Sequence, residues 1–110
     1  MSLNGDSLRG HTDMILLSII DEKDSYGYEI NKKVEEITNY NFVFTEATLY
    51  TSFKRLVKLG YLNTYWLESE SKKKRKYYSI TTKGKKILEH QIADWKLTKE
   101  TIDKIIKLNI

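Results

Sequence analysis

Two short segments rich in aromatic and β-branched residues, YLNTYWLE (61–68) and KYYSIT (76–81), flank a stretch in which five cations follow one another: Lys72, Lys73, Lys74, Arg75 and Lys76. A block of like charge repels itself and is ordinarily a solvated or disordered segment. Here the block lies mid-chain between two strand-like segments, so the expected structure is a β-hairpin with a basic tip. Whatever fold the chain adopts must hold that tip out toward solvent or a polyanion.

The segments before the hairpin read as helices. SLRGHTDMILLSIIDE is too apolar all round for a lone surface helix and is expected to be buried on more than one side. In DSYGYEINKKVEEITN, Ser25 is expected to cap a helix whose apolar positions Tyr26, Ile30, Val34 and Ile37 form one face. NFVF has strand chemistry and is too brief for more. TEATLYTSFKRLVKLG offers Thr45 as N-cap, Glu46 in the first turn and Gly60 as the stop. Its core stripe is Leu49, Phe53 and Leu56, and its opposite face presents Thr48, Thr51, Lys54, Arg55 and Lys58. After the hairpin, Thr81 or Thr82 caps a last helix over residues 83–109. The fold class is therefore mainly α with a small β-hairpin (α+β): helix, helix, short strand, helix, hairpin, the order of a winged helix-turn-helix. Residues 1–82 make that DNA-binding domain, and residues 83–110 make a C-terminal helix that dimerises by packing with helix 1 of a second copy.

Charge placement supports the same reading. Residues 45–86 carry eleven Lys or Arg against three acids, a balance of +8, whereas the remainder carries eight against twelve, −4. One face is thus equipped to meet a polyanion. A helix with small, polar and basic residues outward enters a major groove about 12 Å wide, with the hairpin tip along the neighbouring phosphates. Each phosphate neutralised releases counterions, which makes such binding steeply salt-dependent.

At 110 residues the chain is one domain of ordinary soluble composition. No apolar run approaches the roughly 20 residues of a membrane span, and MSLNGDSLRG lacks the apolar stretch of a signal peptide, so a cytoplasmic address is expected. The absence of cysteine excludes disulfides and thiolate chemistry. His11 and His90 stand 79 positions apart with no ligand spacing near either. Glu68 and Glu70, alternating on a strand, read as charge balance, and the glycines make no phosphate loop. No enzyme, metal or cofactor is expected.

TEATLYTSFKRLVKLGYL followed by RKYYSITTKGKKIL, with SYGYEI upstream, resembles the PadR-like transcriptional regulators. The similarity is greatest to the short, multidrug-responsive repressors that end after one C-terminal helix, and it covers roughly residues 8–106. The resemblance implies a homodimeric repressor on a palindromic operator. It places the recognition helix over residues 47–55, the wing at residues 72–76, and Tyr26, Gly27 and Tyr28 at a helix entrance close to the DNA backbone. The DNA-contacting set is then Tyr26, Thr48, Tyr50, Thr51, Lys54, Arg55 and the five cations of the wing. Many relatives carry proline where this chain has Thr51, which keeps a backbone donor and adds a hydroxyl.

At coiled-coil spacing, Leu88, Ile92, Trp95, Lys99, Ile102 and Ile106 form one seam of the last helix, with Ile87 and Ile105 beside it. A stripe without cover on its own subunit implies a second copy, through Ile92, Ile102, Ile105 and Ile106. Trp95 has two readings: a dimer-core aromatic, or, by the resemblance, one of a pair that sandwiches a planar aromatic effector. Met14, Leu17, Leu88 and Ile92 would then wall the site with Trp95. Lys99, one turn on, favours neutral or anionic compounds over cations unless Asp94 or Asp103 reverses that. The rival functions are a winged-helix module for protein interaction and a regulator with no small-molecule effector.

Overall fold

The computed structural model describes Leu8 and residues 10–107 of the chain; residues 1–7, Arg9 and residues 108–110 lie outside that set. The first helix, α1 (Thr12–Glu22), is the apolar one, and it is the most enclosed. Leu16, Leu17 and Ile20 are buried, with Met14, Ile15 and Ile19 packed against the same cluster. α2 (Gly27–Ile37) contributes Ile30 and Val34 to that core.

Two expectations at the ends of α2 are corrected. Ser25 does not cap it. Tyr26 holds the N-cap position without a side-chain bond, and the Ser25 hydroxyl donates instead to the Lys23 carbonyl at 3.0 Å. The Ser25 backbone exchanges both hydrogen bonds with Tyr78, at 3.2 and 2.8 Å, so this turn is pinned edge-on to the hairpin. At the other end Ile37 keeps the helical spacing but overruns the core and is 67% exposed.

NFVF does not form a strand. A lone extended segment needs a pairing edge, and here a side chain supplies it. Asn31 on α2 accepts from the Phe44 N–H at 2.9 Å and donates to the Phe44 carbonyl at 2.7 Å. The amide thus does what a neighbouring strand would do and seats Phe44 in the core.

α3 (Glu46–Lys58) starts and stops as its sequence dictates. Thr45 Oγ1 accepts from the Thr48 N–H at 3.2 Å, and Leu49, Phe53 and Leu56 are buried. Gly60, at φ +80°, closes the helix: its N–H donates to Val57 and that of Tyr61 to Leu56.

Strands β1 (Leu62–Glu68) and β2 (Lys74–Ile80) pair antiparallel, from Leu62 opposite Ile80 to Glu68 opposite Lys74. The basic run is therefore not all at the tip. Lys72, at φ +62°, and Lys73 lie in the connecting turn, whereas Lys74, Arg75 and Lys76 belong to β2. Glu70 also lies in the turn and does not alternate with Glu68 along a strand. The ends of the turn close on Ser69, whose N–H donates to the Lys73 carbonyl at 2.9 Å.

The last helix, α4 (Thr82–Ile105), is shorter than the sequence suggests, about 36 Å at 1.5 Å per residue. Thr81 caps it, accepting from the Gly84 N–H at 2.9 Å. Gly84 is there because nothing larger fits: a Cβ would stand 2.2 Å from the Tyr61 carbonyl oxygen. Leu88 is buried against α1, and from Ala93 onward most of the described residues of the helix are exposed.

Candidate nucleic-acid interface

The outer face of α3 carries Thr48, Tyr50, Thr51, Lys54 and Arg55, all exposed. Arg55 is not a free cation. Its Nε donates to Asp13 Oδ2 at 3.0 Å and its Nη2 to Oδ1 at 2.5 Å and to Ser52 Oγ at 3.2 Å. The hydrogen bond to Asp13 raises the guanidinium pKa further, so its charge is permanent and its direction is fixed by α1.

The hairpin is fastened to the helices on both of its faces. On one, Tyr78 is buried and stacks on Phe53 of α3, ring centroids 3.9 Å apart and planes at 15°. Burial, and after it Tyr50, pushes the Tyr78 phenol up. On the other face Tyr77 lies between Tyr65 (5.6 Å, stacked) and Tyr26 (5.1 Å, edge-on). Tyr65 donates to Asp24 Oδ2 at 2.6 Å, a bond to its neutral form that pushes its pKa up to about 12. Arg75 completes this side, donating to Tyr26 Oη at 2.6 Å with its guanidinium 4.6 Å from the Tyr26 ring centre.

These contacts bring much of the expected site together. Tyr26, Tyr50, Lys73, Lys74, Arg75 and Lys76 line one concavity of about 600 Å3 between α2, α3 and the hairpin. Thr48, Thr51 and Arg55 line a separate one of about 510 Å3 on the far flank of α3. Lys54 and Lys72 line neither. Sequence reasoning missed Asp13 and Asn31, whose partners lie 42 and 13 residues away, beyond any local pattern. It also missed Trp66 as a member of the first concavity, although hairpin alternation places it opposite Lys76.

The expected effector site is partly reproduced. Met14, Ile92 and Trp95 line an almost wholly apolar groove of about 290 Å3, together with Ile37 and Phe42. Leu17 and Leu88 do not: both are buried in the chain's own core, since they sit on the inward faces of α1 and α4. Trp95 stands edge-on to His11 at 4.9 Å. Asp94 and Asp13 share a second hollow on the other side of Trp95, while Asp103 accepts from Lys99 at 3.3 Å. Ile102, Ile105 and Ile106 are exposed. Among the described residues no cluster of metal ligands occurs, and no helix is long and apolar enough to cross a membrane.

Three helices with a fastened, basic two-stranded hairpin and a long terminal helix define a winged helix-turn-helix protein, a DNA-binding class. The chain belongs to the transcriptional regulator PadR-like family, whose sequence model matches residues 16–90. A transcriptional regulator from Clostridium thermocellum is 42% identical and superposes with a TM-score of 0.83, covering 93% of this chain and 96% of that one. A PadR family transcription regulator from Clostridium difficile is 34% identical, TM-score 0.76, over 88% and 99% of the two chains. An uncharacterised protein of Lysinibacillus sphaericus is 44% identical over 101 residues, 92% of this chain and 93% of that one.

Proposed function

We propose that this PadR-like regulator is a cytoplasmic homodimeric repressor that reads a palindromic operator and lets go of it when a planar aromatic compound binds. The observation that carries the DNA half is the basic concavity of Tyr26, Tyr50 and the wing cations, set beside the exposed polar face of α3. In this reading Thr48, Thr51, Lys54 and Arg55 meet base edges and nearby phosphates, and Lys72 to Lys76 track the backbone. Two copies join through the apolar outer half of α4, where Ile102, Ile105 and Ile106 are exposed. The effector lies against Trp95, with Met14 and Ile92 as adaptable walls and Leu17 and Leu88 supporting them from behind. No chemistry is performed on it.

The test is footprinting on duplex DNA from the region upstream of the protein's own gene. A protected palindrome is expected. Replacing residues 72–76 by alanine weakens binding to every sequence and flattens the salt slope, whereas changes at Thr51 or Arg55 alter preference among sequences. An unprotected duplex, with an acidic protein bound instead, makes the wing a protein-docking surface. Planar aromatic compounds are expected to quench Trp95 fluorescence and to lower operator affinity; binding that survives Trp95→Ala removes the sandwich.

A further inference from the structure

Five Tyr and Trp side chains among the described residues are exposed, and three of them, Tyr28, Tyr50 and Trp66, line the basic concavity. Trp66 is 61% exposed although indole is the most costly aromatic to leave in water. The hairpin does not need it for its own attachment. Tyr78 fastens one face of the wing and Tyr65 and Tyr77 fasten the other. By register Trp66 lies opposite Lys76 and shares a face with Lys74 and Tyr78, about 7 Å farther out than Tyr78. Its side chain is therefore on the same face as the two lysines, the face of the hairpin whose Tyr78 stacks on α3.

The opposite wall of the concavity is the start of α2. No side chain caps that helix, and the first N–H groups, at Gly27 and Tyr28, have no partner within its own turns. Lys74 and Lys76 line the same concavity, so its donors and charges suit a phosphate. A phosphate in DNA comes with a deoxyribose on either side, whose C–H face is apolar and flat. An exposed indole beside a phosphate-binding pair is suited to that face.

We propose that Trp66 is a DNA-contact residue that packs on the deoxyribose next to the phosphate held by Lys74, Lys76 and the N-terminus of α2. This rests on the reading above that the concavity faces duplex DNA and deepens it by naming a contact that carries no charge and no base preference. The contact tells duplex DNA from a simple polyanion, which the lysines alone do not.

The chain has two tryptophans, so Trp95→Phe leaves Trp66 as the sole indole reporter. A mixed-sequence duplex suffices because sugars are read without regard to sequence. Duplex binding, followed by anisotropy of labelled DNA, is expected to shield Trp66 from acrylamide. Heparin is expected to bind without shielding it. Trp66→Ala is expected to weaken duplex binding about fivefold at an unchanged salt slope, with Trp66→Phe restoring most of the loss, whereas Lys76→Ala lowers the slope. A bound duplex with Trp66 still open to acrylamide overturns the proposal, and so does equal shielding by heparin. Stronger shielding by a single strand than by the duplex also overturns it, making the cleft a base-stacking platform instead. A protein that binds no duplex at low salt fails at the level of the proposed function itself.

Discussion

The reading end of the molecule and the outer half of α4 manage their exposed side chains in opposite ways. At the reading end four large side chains are each held by another element of the same chain: Arg55 by Asp13, Arg75 by Tyr26, Tyr65 by Asp24, Tyr78 by Phe53. Past Ile92, α4 carries Leu97, Ile102, Ile105 and Ile106 exposed, and Lys99 pairs with Asp103 one turn on along the same helix. The first region's cross-element contacts are all made within one subunit. The second leaves an apolar stripe facing water, a cost that the proposed second copy would remove.

The sharpest way to break this contrast is to make the stripe comfortable in water. Ile102→Asp with Ile105→Asp is expected to give a folded monomer by sedimentation. Its operator affinity is expected to fall about a hundredfold or more, because two linked heads become one. An unchanged dimer mass would mean that α4 is not the joint. Next in size is the place where the two regions meet. Gly84→Ala drives a methyl group into the Tyr61 carbonyl, and a loss of about 3 kcal/mol is expected in denaturant unfolding. At the reading end, Asn31→Ala strips both partners from the Phe44 backbone, expected to cost about 2 kcal/mol and to loosen the start of α3. Normal stability in that variant would show that the segment before α3 holds itself.

The same contrast explains what was legible in the sequence. Caps and stops are local, so Thr45 and Gly60 could be placed from their neighbours alone, and the cap of α4 narrowed to Thr81 or Thr82, of which the fold uses Thr81. The core stripe of α3 follows from helical spacing, and the hairpin from its composition. What could not be read depends on partners far along the chain. Ser25 is a good capping residue by type, but its backbone pairs with Tyr78 and its hydroxyl donates to the Lys23 carbonyl. NFVF has the composition of a strand, yet no strand edge reaches it and a side-chain amide stands in. The basic run looks like a tip until the register of the hairpin puts three of its five cations inside β2. For the site, residue types were sufficient to nominate the wing and α3, whereas the fastening of Arg55 and Arg75 needed the fold. Leu17 and Leu88 belong to the effector wall that the resemblance implies, and apolar residue type does not distinguish the lining of a groove from the layer behind it.

The smallest expected effect concerns how firmly the wing is tied. The bond from Tyr65 to Asp24 favours the neutral phenol, raising its pKa from 10.0 to about 12 in the folded chain. A proton held more tightly when folded stabilises the fold in full below the unfolded value and ceases to do so as pH rises through the folded one. Its contribution is therefore constant at neutral pH and disappears between about pH 10 and 12. Ultraviolet titration is expected to show one fewer late-ionising tyrosine in Tyr65→Phe, and Asp24→Asn to return Tyr65 toward its ordinary range while Tyr78, raised by burial, stays late. Operator affinity at neutral pH should change little in Tyr65→Phe, because the stack of Tyr77 between its neighbours and the pairing of Ser25 with Tyr78 remain. A large loss of affinity there would mean that one hydroxyl positions the whole wing, and the reading end would then be less over-determined than its many contacts imply.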